Sequence, residues 1–205
     1  MVERKMYKRI IKPAFDKTFA LVLLFTFSPL LILLLIVLSV HFNGKPFFVQ
    51  KRVGLNEHVF LILKFRSMKD VNDGSVFNED QLSSIGHFVR KTSLDELPQL
   101  INVLRGEMSF VGPRPLLVEY LPYYNSEEKN RHNVKPGITG LAQVKGRNRI
   151  DWEQRMKLDV FYARSVSILM DLKILVKTCI EVFRFKNSRF ENSHIITFKE
   201  YASKR

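Results

Sequence analysis

The sequence of 205 residues contains one cysteine, Cys179, and five histidines. A lone cysteine excludes an intramolecular disulfide and any zinc or iron–sulfur site built from several cysteines. The histidines lack metal-ligand spacing, so a zinc site is unsupported. The sequence also has no G-x-x-x-x-G-K-[ST] loop and no G-x-G-x-x-G fingerprint, which argues against a P-loop or dinucleotide-binding site. The lack of a disulfide is typical of a protein that folds in a reducing compartment.

Acidic residues are scarce relative to basic ones. The chain has 33 Lys and Arg against 20 Asp and Glu, which gives a formal net charge of +13. Such an excess favours a polyanionic partner, which is a nucleic acid, an anionic membrane surface or a phosphorylated substrate. Hydrophobic residues make up 46% of the chain, too many for a disordered basic tail. Composition alone leaves these three partners open.

One long apolar run, residues 19–40, contains no charged residue. Its length is sufficient to cross a bilayer. A secretory signal peptide is disfavoured, because its apolar region would be shorter and no small-x-small cleavage site follows. Ser28 and Pro29 lie in the middle of the run, where the proline removes a backbone hydrogen bond and bends a helix. Each half is then about 15 Å long, close to the thickness of one leaflet.

Basic residues flank this run on both sides, whereas a spanning helix should show a basic excess on one side only. They are Arg4, Lys5, Lys8, Arg9, Lys12 and Lys17 before it, and Lys45, Lys51 and Arg52 after it. A re-entrant helix and a proline-kinked spanning helix are equally supported by the residues alone. A buried core helix of a soluble protein is a weaker alternative.

The rest of the chain predicts one compact mixed domain. Two aromatic and β-branched runs, 47–53 and 58–65, are separated by Gly54-Leu55-Asn56-Glu57 and predict a β-hairpin. Apolar spacing predicts a helix over 97–105 that Gly106 ends. The polar segment 70–80 predicts a mobile loop.

Two helices are predicted after the glycine- and proline-rich middle, over 152–163 and 166–186. The second is amphipathic, and its charged face carries Lys173, Lys177, Glu181 and Arg184. It either packs on the core, which we favour, or lies in the membrane interface. The segment 188–205 is predicted to be weakly ordered.

Two adjacent carboxylates, Asp95 and Glu96, directly precede the predicted helix over 97–105. The positive end of the helix dipole favours their ionised forms. An ionised aspartate there could attack phosphorus, and its neighbour could help hold Mg²⁺ together with substrate phosphate oxygens. The alternative is structural, because residues 93–96 (SLDE) match the S-x-x-E capping box. Taken alone, these residues favour the cap.

Candidate anion ligands surround these carboxylates in the sequence. Arg114 lies between two prolines that restrict its backbone, so it would lose little entropy on gripping a phosphate. Arg147 lies in a basic segment, 145–149, which suits either anion capture or a solvated loop. Three weaker candidates are Lys64, Arg66 and Arg90.

Three long motifs in order resemble the bacterial sugar transferases, and among them the small monotopic phosphoglycosyl transferases. They are KFRSM at 64–68, SLDELPQLINVLRGEMSFVGPRPLLVEYL at 93–121 and KPGITGLAQVKGRN at 135–148. The similarity covers nearly the whole chain. One departure is Leu141, where the PGITGWAQV version of the motif has tryptophan. The short chain is most similar to the single-domain members that transfer phospho-N,N′-diacetylbacillosamine in bacterial protein N-glycosylation.

The resemblance implies transfer of sugar-1-phosphate from a UDP-sugar, such as UDP-N,N′-diacetylbacillosamine, to undecaprenyl phosphate with release of UMP. It makes Asp95 and Glu96 the catalytic pair, which overturns the preference for a cap. We expect Asp95 to form a covalent phosphosugar intermediate and Glu96 to hold Mg²⁺. The expected substrate-binding cations are Arg114, Arg147, Lys64, Arg66 and Arg90.

The resemblance also implies an α+β fold. Its parts are a basic N-terminus with a re-entrant membrane helix (1–42), a catalytic domain with a β-hairpin and amphipathic interfacial helices (43–187), and the tail (188–205). The implied location is the cytoplasmic face of the bacterial inner membrane, with downstream glycosyltransferases as further partners and no nucleic acid. Two alternatives are a hexose-1-phosphate transferase for capsule or O-antigen synthesis and a non-enzymatic, membrane-tethered polyanion-binding protein.

Overall fold

The computed structural model describes residues 5–68, 83–146, 150–184 and 197–203, so the predicted loop at 70–80 lies outside the described residues. The helices are α1 (Lys12–Thr26), α2 (Ser28–His41), α3 (Ser84–Lys91), α4 (Gln99–Arg105), α5 (Leu141–Gly146), α6 (Trp152–Ser165), α7 (Ile168–Arg184) and α8 (Phe198–Ser203). The strands are β1 (Phe47–Val53), β2 (Val59–Phe65), β3 (Ser109–Val111) and β4 (Gly137–Thr139). This mixture of helices and small sheets confirms the α+β class.

The apolar run folds as two helices, α1 and α2, and the helical stretch Tyr7–Thr26 is bent by 66° relative to α2. Pro29 has no N–H to donate to the carbonyl of Phe25 four residues earlier. The hydroxyl of Ser28 donates to that carbonyl instead, at 2.7 Å. The bend therefore lies at the predicted Ser-Pro position. Among the described residues, no single helix has both the length and the apolar character to cross a bilayer, but this bent pair has them jointly.

The predicted hairpin is confirmed. Strands β1 and β2 pair antiparallel, from Phe47 opposite Phe65 to Val53 opposite Val59. Strands β3 and β4 form a separate parallel pair. Gly137 of β4 lies so close to Gly112 that a Cβ on Gly137 would be 2.1 Å from the Gly112 amide nitrogen. Only glycine permits this approach of the two backbones.

One core joins the N-terminal helix to the rest of the domain. Ala20 of α1 is completely buried in it. Most of the other buried members come from both sheets, α4, α6 and α7, and they include Phe60, Ile62, Leu100, Val103, Val111, Tyr162 and Ile174. A second cluster holds Leu34 and Leu38 of α2 against Phe65 and Val89. Both arms of the bent pair therefore pack on the same domain.

Helix α7 has one buried face and one exposed apolar face. Asp171 and Ile174 are buried against the core, which confirms the predicted packing. A second face leaves apolar side chains uncovered, and these are Ile168, Leu169, Leu172, Val176 and Ile180. Core packing is therefore confirmed for one face of this helix, while the placement of the exposed apolar face in a membrane interface stays a prediction.

The predicted weak order of the C-terminal segment is wrong for residues 198–203, because these residues form α8. Phe198 is completely buried. Its ring centroid lies 5.2 Å from Tyr120, 4.9 Å from Tyr124 and 5.1 Å from Trp152. One aromatic side chain thus anchors α8 in a pocket made by distant residues. The segment 185–196 lies outside the described residues.

We expect Phe198→Ala to lower the thermal unfolding temperature clearly, because truncating a buried Phe costs about 3–5 kcal/mol. Differential scanning fluorimetry of the full chain in detergent measures the shift. The matched control is Lys199→Ala, which removes an exposed ion pair with Glu119 at 3.3 Å and a cation–π contact with Tyr123 at 6.0 Å, and which should change stability by less than about 1 kcal/mol. Equal shifts for the two variants would contradict the anchoring role of Phe198.

Candidate active site

The two adjacent carboxylates lie on a short 3-10 turn, Leu94–Glu96, between α3 and α4. The chain enters this turn through Ser93, whose φ of 59° is left-handed. Within the described part of the chain, the Ser93 side chain caps no backbone amide. The amide of Glu96 donates to the Ser93 carbonyl at 3.2 Å. The capping-box interpretation is therefore wrong, and α4 begins at Gln99, two residues later than predicted.

Two cations hold the carboxylate of Glu96. Lys64 Nζ lies 2.6 Å from Glu96 Oε1, and an Nη of Arg114 lies 3.2 Å from the same oxygen. Burial by itself raises the pKa of Glu96, but Arg114 and Lys64 outweigh this effect and lower the pKa to about 2. Glu96 is consequently ionised at every physiological pH.

Asp95 has the opposite electrostatic environment. Asp95 is only 9% exposed to solvent. Burial and then the negative charge of Glu96 raise the pKa of Asp95 to about 6, against the opposing influence of Lys64 and Arg90. Asp95 is thus mainly ionised at neutral pH while poorly solvated, which is the state that a carboxylate nucleophile requires. Two neighbours in sequence have been given different chemical properties by their surroundings.

A buried asparagine sets the distance between Lys64 and the turn. Asn102 of α4 is fully buried. Its Nδ2 donates to the carbonyl of Leu61 at 2.8 Å, and its Oδ1 accepts from the amide of Leu63 at 3.1 Å. These bonds fix α4 against β2, so Lys64 on the same strand can reach Glu96. Asn102 was not among the predicted site residues. Its position inside a helix could have indicated a special role, because asparagine has low helix propensity.

Arg114 reaches Glu96 from a loop whose carbonyls are held one after another. Each carbonyl from residue 113 to residue 116 accepts a hydrogen bond, and the donors in order are the Gly137 amide, the Arg131 guanidinium, the Arg52 guanidinium and the Val53 amide. The predicted constraint from the flanking prolines is therefore only part of the restriction on this loop.

The structure brings two of the five predicted cations, Lys64 and Arg114, into direct contact with Glu96. Arg90 lies beside Met68, with 3.7 Å between Nη1 and Sδ, and its charge lowers the pKa of Asp95. Arg66 donates to the carbonyl of Phe47 at 3.4 Å, at the open end of the hairpin. Arg147 lies outside the described residues.

Arg52 is a basic residue of the site that the sequence analysis counted only as flanking charge. Burial first, and then repulsion from Arg114, lower the pKa of Arg52. The electrostatic influence of Glu96 acts in the opposite direction. A group of cations thus surrounds two carboxylates, which suits a phosphorylated ligand.

The donor set fits a metal that a substrate helps to bind. Among the described residues, no group of three or more His, Cys, Asp and Glu side chains is placed to hold a metal ion. Asp95 and Glu96 provide two carboxylates, and Mg²⁺ commonly takes one or two of these together with substrate phosphate oxygens and water. The site therefore fits Mg²⁺ that arrives with a diphosphate.

Neutralising the two carboxylates should change stability in opposite directions. The pKa of Asp95 is raised from 3.8 to about 6, so folding becomes less favourable as the pH rises through this range. Asp95→Asn removes that cost and should stabilise the protein at pH 7.5 by on the order of 3 kcal/mol. At pH 4 we expect little effect. Thermal unfolding at the two pH values measures both.

Glu96→Gln is the matched comparison. The pKa of Glu96 is lowered from 4.5 to about 2, so the stabilisation from its ion pairs is present above pH 4.5 and is lost as the pH falls towards 2. This variant should therefore be less stable than the wild type at pH 7.5. Shifts of the same sign for the two variants would contradict the assigned environments.

Comparison with known proteins agrees with the motifs. Residues 7–185 match the family model described as "Bacterial sugar transferase". The chain is 46% identical over 172 residues to an uncharacterized sugar transferase, EpsL, of Bacillus subtilis. The aligned region covers 82% of this chain and 85% of that protein. It is 40% identical over 194 residues to the UDP-galactose-lipid carrier transferase of Erwinia amylovora, covering 85% of this chain and 40% of that protein.

A third relative is the undecaprenyl-phosphate galactose phosphotransferase of Salmonella typhimurium. It is 36% identical over 200 residues, which cover 88% of this chain and 42% of the relative. The chain therefore spans less than half the length of the Erwinia and Salmonella proteins. Since the family model matches residues 7–185, which is most of the chain and includes the paired carboxylates, the protein belongs to the bacterial sugar transferase family.

Proposed function

We propose that this protein transfers a sugar-1-phosphate from a UDP-sugar to undecaprenyl phosphate and releases UMP. The observation that carries the proposal is the poorly solvated Asp95 beside a Glu96 that two cations hold. The names of two relatives, the undecaprenyl-phosphate galactose phosphotransferase and the undecaprenyl-phosphate glucose phosphotransferase, support this reaction class.

In the first proposed step, a carboxylate oxygen of Asp95 attacks the β-phosphorus of the UDP-sugar. The bond between that phosphorus and the bridging oxygen breaks, and UMP leaves with the electron pair. Lys64 and Arg114 stabilise negative charge on the phosphoryl oxygens through fixed donors. Mg²⁺, when bound, would neutralise the diphosphate, and Glu96 would hold it.

In the second proposed step, a phosphate oxygen of undecaprenyl phosphate attacks the phosphorus of the aspartyl phosphosugar. The acyl phosphate bond breaks, Asp95 regains its carboxylate, and the lipid carries a diphosphate-linked sugar. Because UMP leaves before the lipid reacts, the kinetics are ping-pong.

The packing of the bent helix pair supports a re-entrant, monotopic arrangement. At the start of the chain, Lys12 forms an ion pair with Asp171 of α7 at 2.7 Å. At the end of α2, Phe42 belongs to a cluster with Phe65 and Val89. Because both ends contact the same domain, we place both on the same side of the membrane, the cytoplasmic face. The uncovered apolar face of α7 would then contact lipid at the interface.

The transferred sugar has two candidates. The resemblance of the short chain to the bacillosamine transferases favours an N-acetylated amino sugar such as N,N′-diacetylbacillosamine. The relatives named for galactose and glucose favour a hexose. A panel of UDP-sugars, assayed for UMP release with undecaprenyl phosphate, distinguishes them.

We expect a covalent sugar-phosphate adduct on Asp95 when the protein is incubated with Mg²⁺ and a reactive UDP-sugar in the absence of the lipid. Peptide mass spectrometry locates the adduct. Asp95→Asn should abolish both the adduct and UMP release. The control is Asp151→Asn at the exposed N-cap of α6, which should retain both. Kinetics that require a ternary complex of donor and lipid would contradict the mechanism.

The rate of the first step should fall as the pH drops below about 6, because protonation of Asp95 removes the nucleophile. Lys64→Met removes a positive charge that lowers the pKa of Asp95, so the acid limb of kcat/KM should move upward by on the order of one pH unit. Lys157→Met, which removes an exposed lysine paired with Glu153, should leave the limb in place. An unchanged limb in Lys64→Met would exclude Asp95 as the titrating group.

A further inference from the structure

We propose that Arg131 is a positioning residue, which holds the backbone of Arg114 so that the Arg114 guanidinium stays on Glu96. Arg52 does the same at the next carbonyl. The part that Arg114 plays in turnover rests on the proposed transfer reaction. The hydrogen bonds that hold its backbone are independent of that reaction.

Arg131 is a buried residue, and each of its three guanidinium nitrogens has a partner. It is only 2% exposed. Its Nη2 donates to the Arg114 carbonyl at 2.7 Å and to Asp159 Oδ2 at 2.7 Å, and its Nε donates to the same carboxylate oxygen at 3.2 Å. Its Nη1 lies 3.4 Å from Nε2 of His132. The guanidinium therefore joins α6, which carries Asp159, to the backbone of Arg114.

Stability alone does not account for this arrangement. A buried ion pair often contributes no more stability than apolar side chains of similar volume would, because removing two charges from water is costly. A guanidinium differs from other cations in being a rigid planar fork. Here Asp159 fixes one edge of the fork, so the Arg114 carbonyl that accepts from the guanidinium has a defined position relative to α6.

The neighbouring contacts restrain the loop from both sides. Arg52 Nη1 donates to the carbonyl of Pro115 at 3.3 Å, and Arg52 Nη2 is itself held by Gln50 at 2.6 Å. Before the loop, the hydroxyl of Tyr162 on α6 lies 2.7 Å from Asp171 Oδ1 and 2.9 Å from the carbonyl oxygen of Val111, and its single proton is shared between them. The Arg114 side chain, which is 48% exposed, thus extends from a fixed backbone, and pre-organisation of this kind lowers the entropy lost on binding.

A double-mutant cycle on the full chain in lipid nanodiscs tests the proposal. Arg131→Lys keeps the charge beside Asp159 but lacks the fork, so kcat/KM for UMP release should fall about 10- to 100-fold. In the Arg114→Ala background the same change should cost less than about 3-fold, because there is no longer a guanidinium to position. Its effect on the unfolding temperature should be equal in both backgrounds, since the Arg114 carbonyl is present in each.

The matched control is Arg164→Lys, at an exposed ion pair of α6 with Glu127 at 2.8 Å, which should leave kcat/KM within about twofold of the wild type. If Arg131→Lys lowers kcat/KM by the same factor with and without the Arg114 side chain, the positioning role is excluded. If that variant does not fold, Arg52→Lys, at a less buried residue, provides the same cycle and the same two outcomes.

A binding measurement separates this inference from the proposed function. The same double-mutant cycle can be measured without turnover, as the affinity of each variant for UDP with Mg²⁺ by microscale thermophoresis. Should no UDP-sugar yield UMP, the transfer reaction is excluded, while the UDP cycle still decides the positioning role. If Arg131→Lys weakens UDP binding in the wild-type background but not in the Arg114→Ala background, the positioning role is supported. If Arg131→Lys weakens UDP binding equally in both backgrounds, that role is overturned.

Discussion

The capture of one carboxylate by two cations is the interaction on which the rest of the site depends. Glu96 receives Lys64 from a strand and Arg114 from a proline-bounded loop. These contacts keep Glu96 charged, and that charge helps to raise the pKa of its neighbour Asp95. The different properties of the two carboxylates therefore originate outside the turn that carries them. A chemically ordinary Asp-Glu pair becomes a site because distant segments converge on one of its members.

Buried polar groups in this domain connect elements more than they add stability. Asn102 joins α4 to β2, and Arg131 with Asp159 joins α6 to the Arg114 loop. Each satisfied polar group costs less than an unpaired one, but apolar packing would stabilise the fold at least as well. What these groups provide is direction, since a hydrogen bond fixes an angle and a distance, whereas apolar contacts leave both loosely defined.

Features with a local physical cause were predictable from the sequence. The bend follows from Pro29, the hairpin from β-branched runs around a short turn, and the end of α4 from Gly106, whose φ is +78°. Features made by long-range contacts were not predictable. The capping-box match at residues 93–96 was misleading because ion pairs formed across the fold took the Glu96 side chain, and the anchoring of Phe198 needs a pocket whose members are scattered over more than thirty residues.

The left-handed backbone at Ser93 affects how the adjacent carboxylates can respond to a ligand. For a residue with a side chain, this conformation costs about 1–2 kcal/mol relative to the right-handed one. Glycine would adopt it freely, but glycine would also allow many neighbouring conformations. Because the left-handed region open to serine is small, Ser93 has fewer neighbouring conformations there than glycine would have, and the turn that carries Asp95 and Glu96 is correspondingly stiffer. The orientation of the two carboxylates is thus maintained at a cost in backbone conformational energy at Ser93.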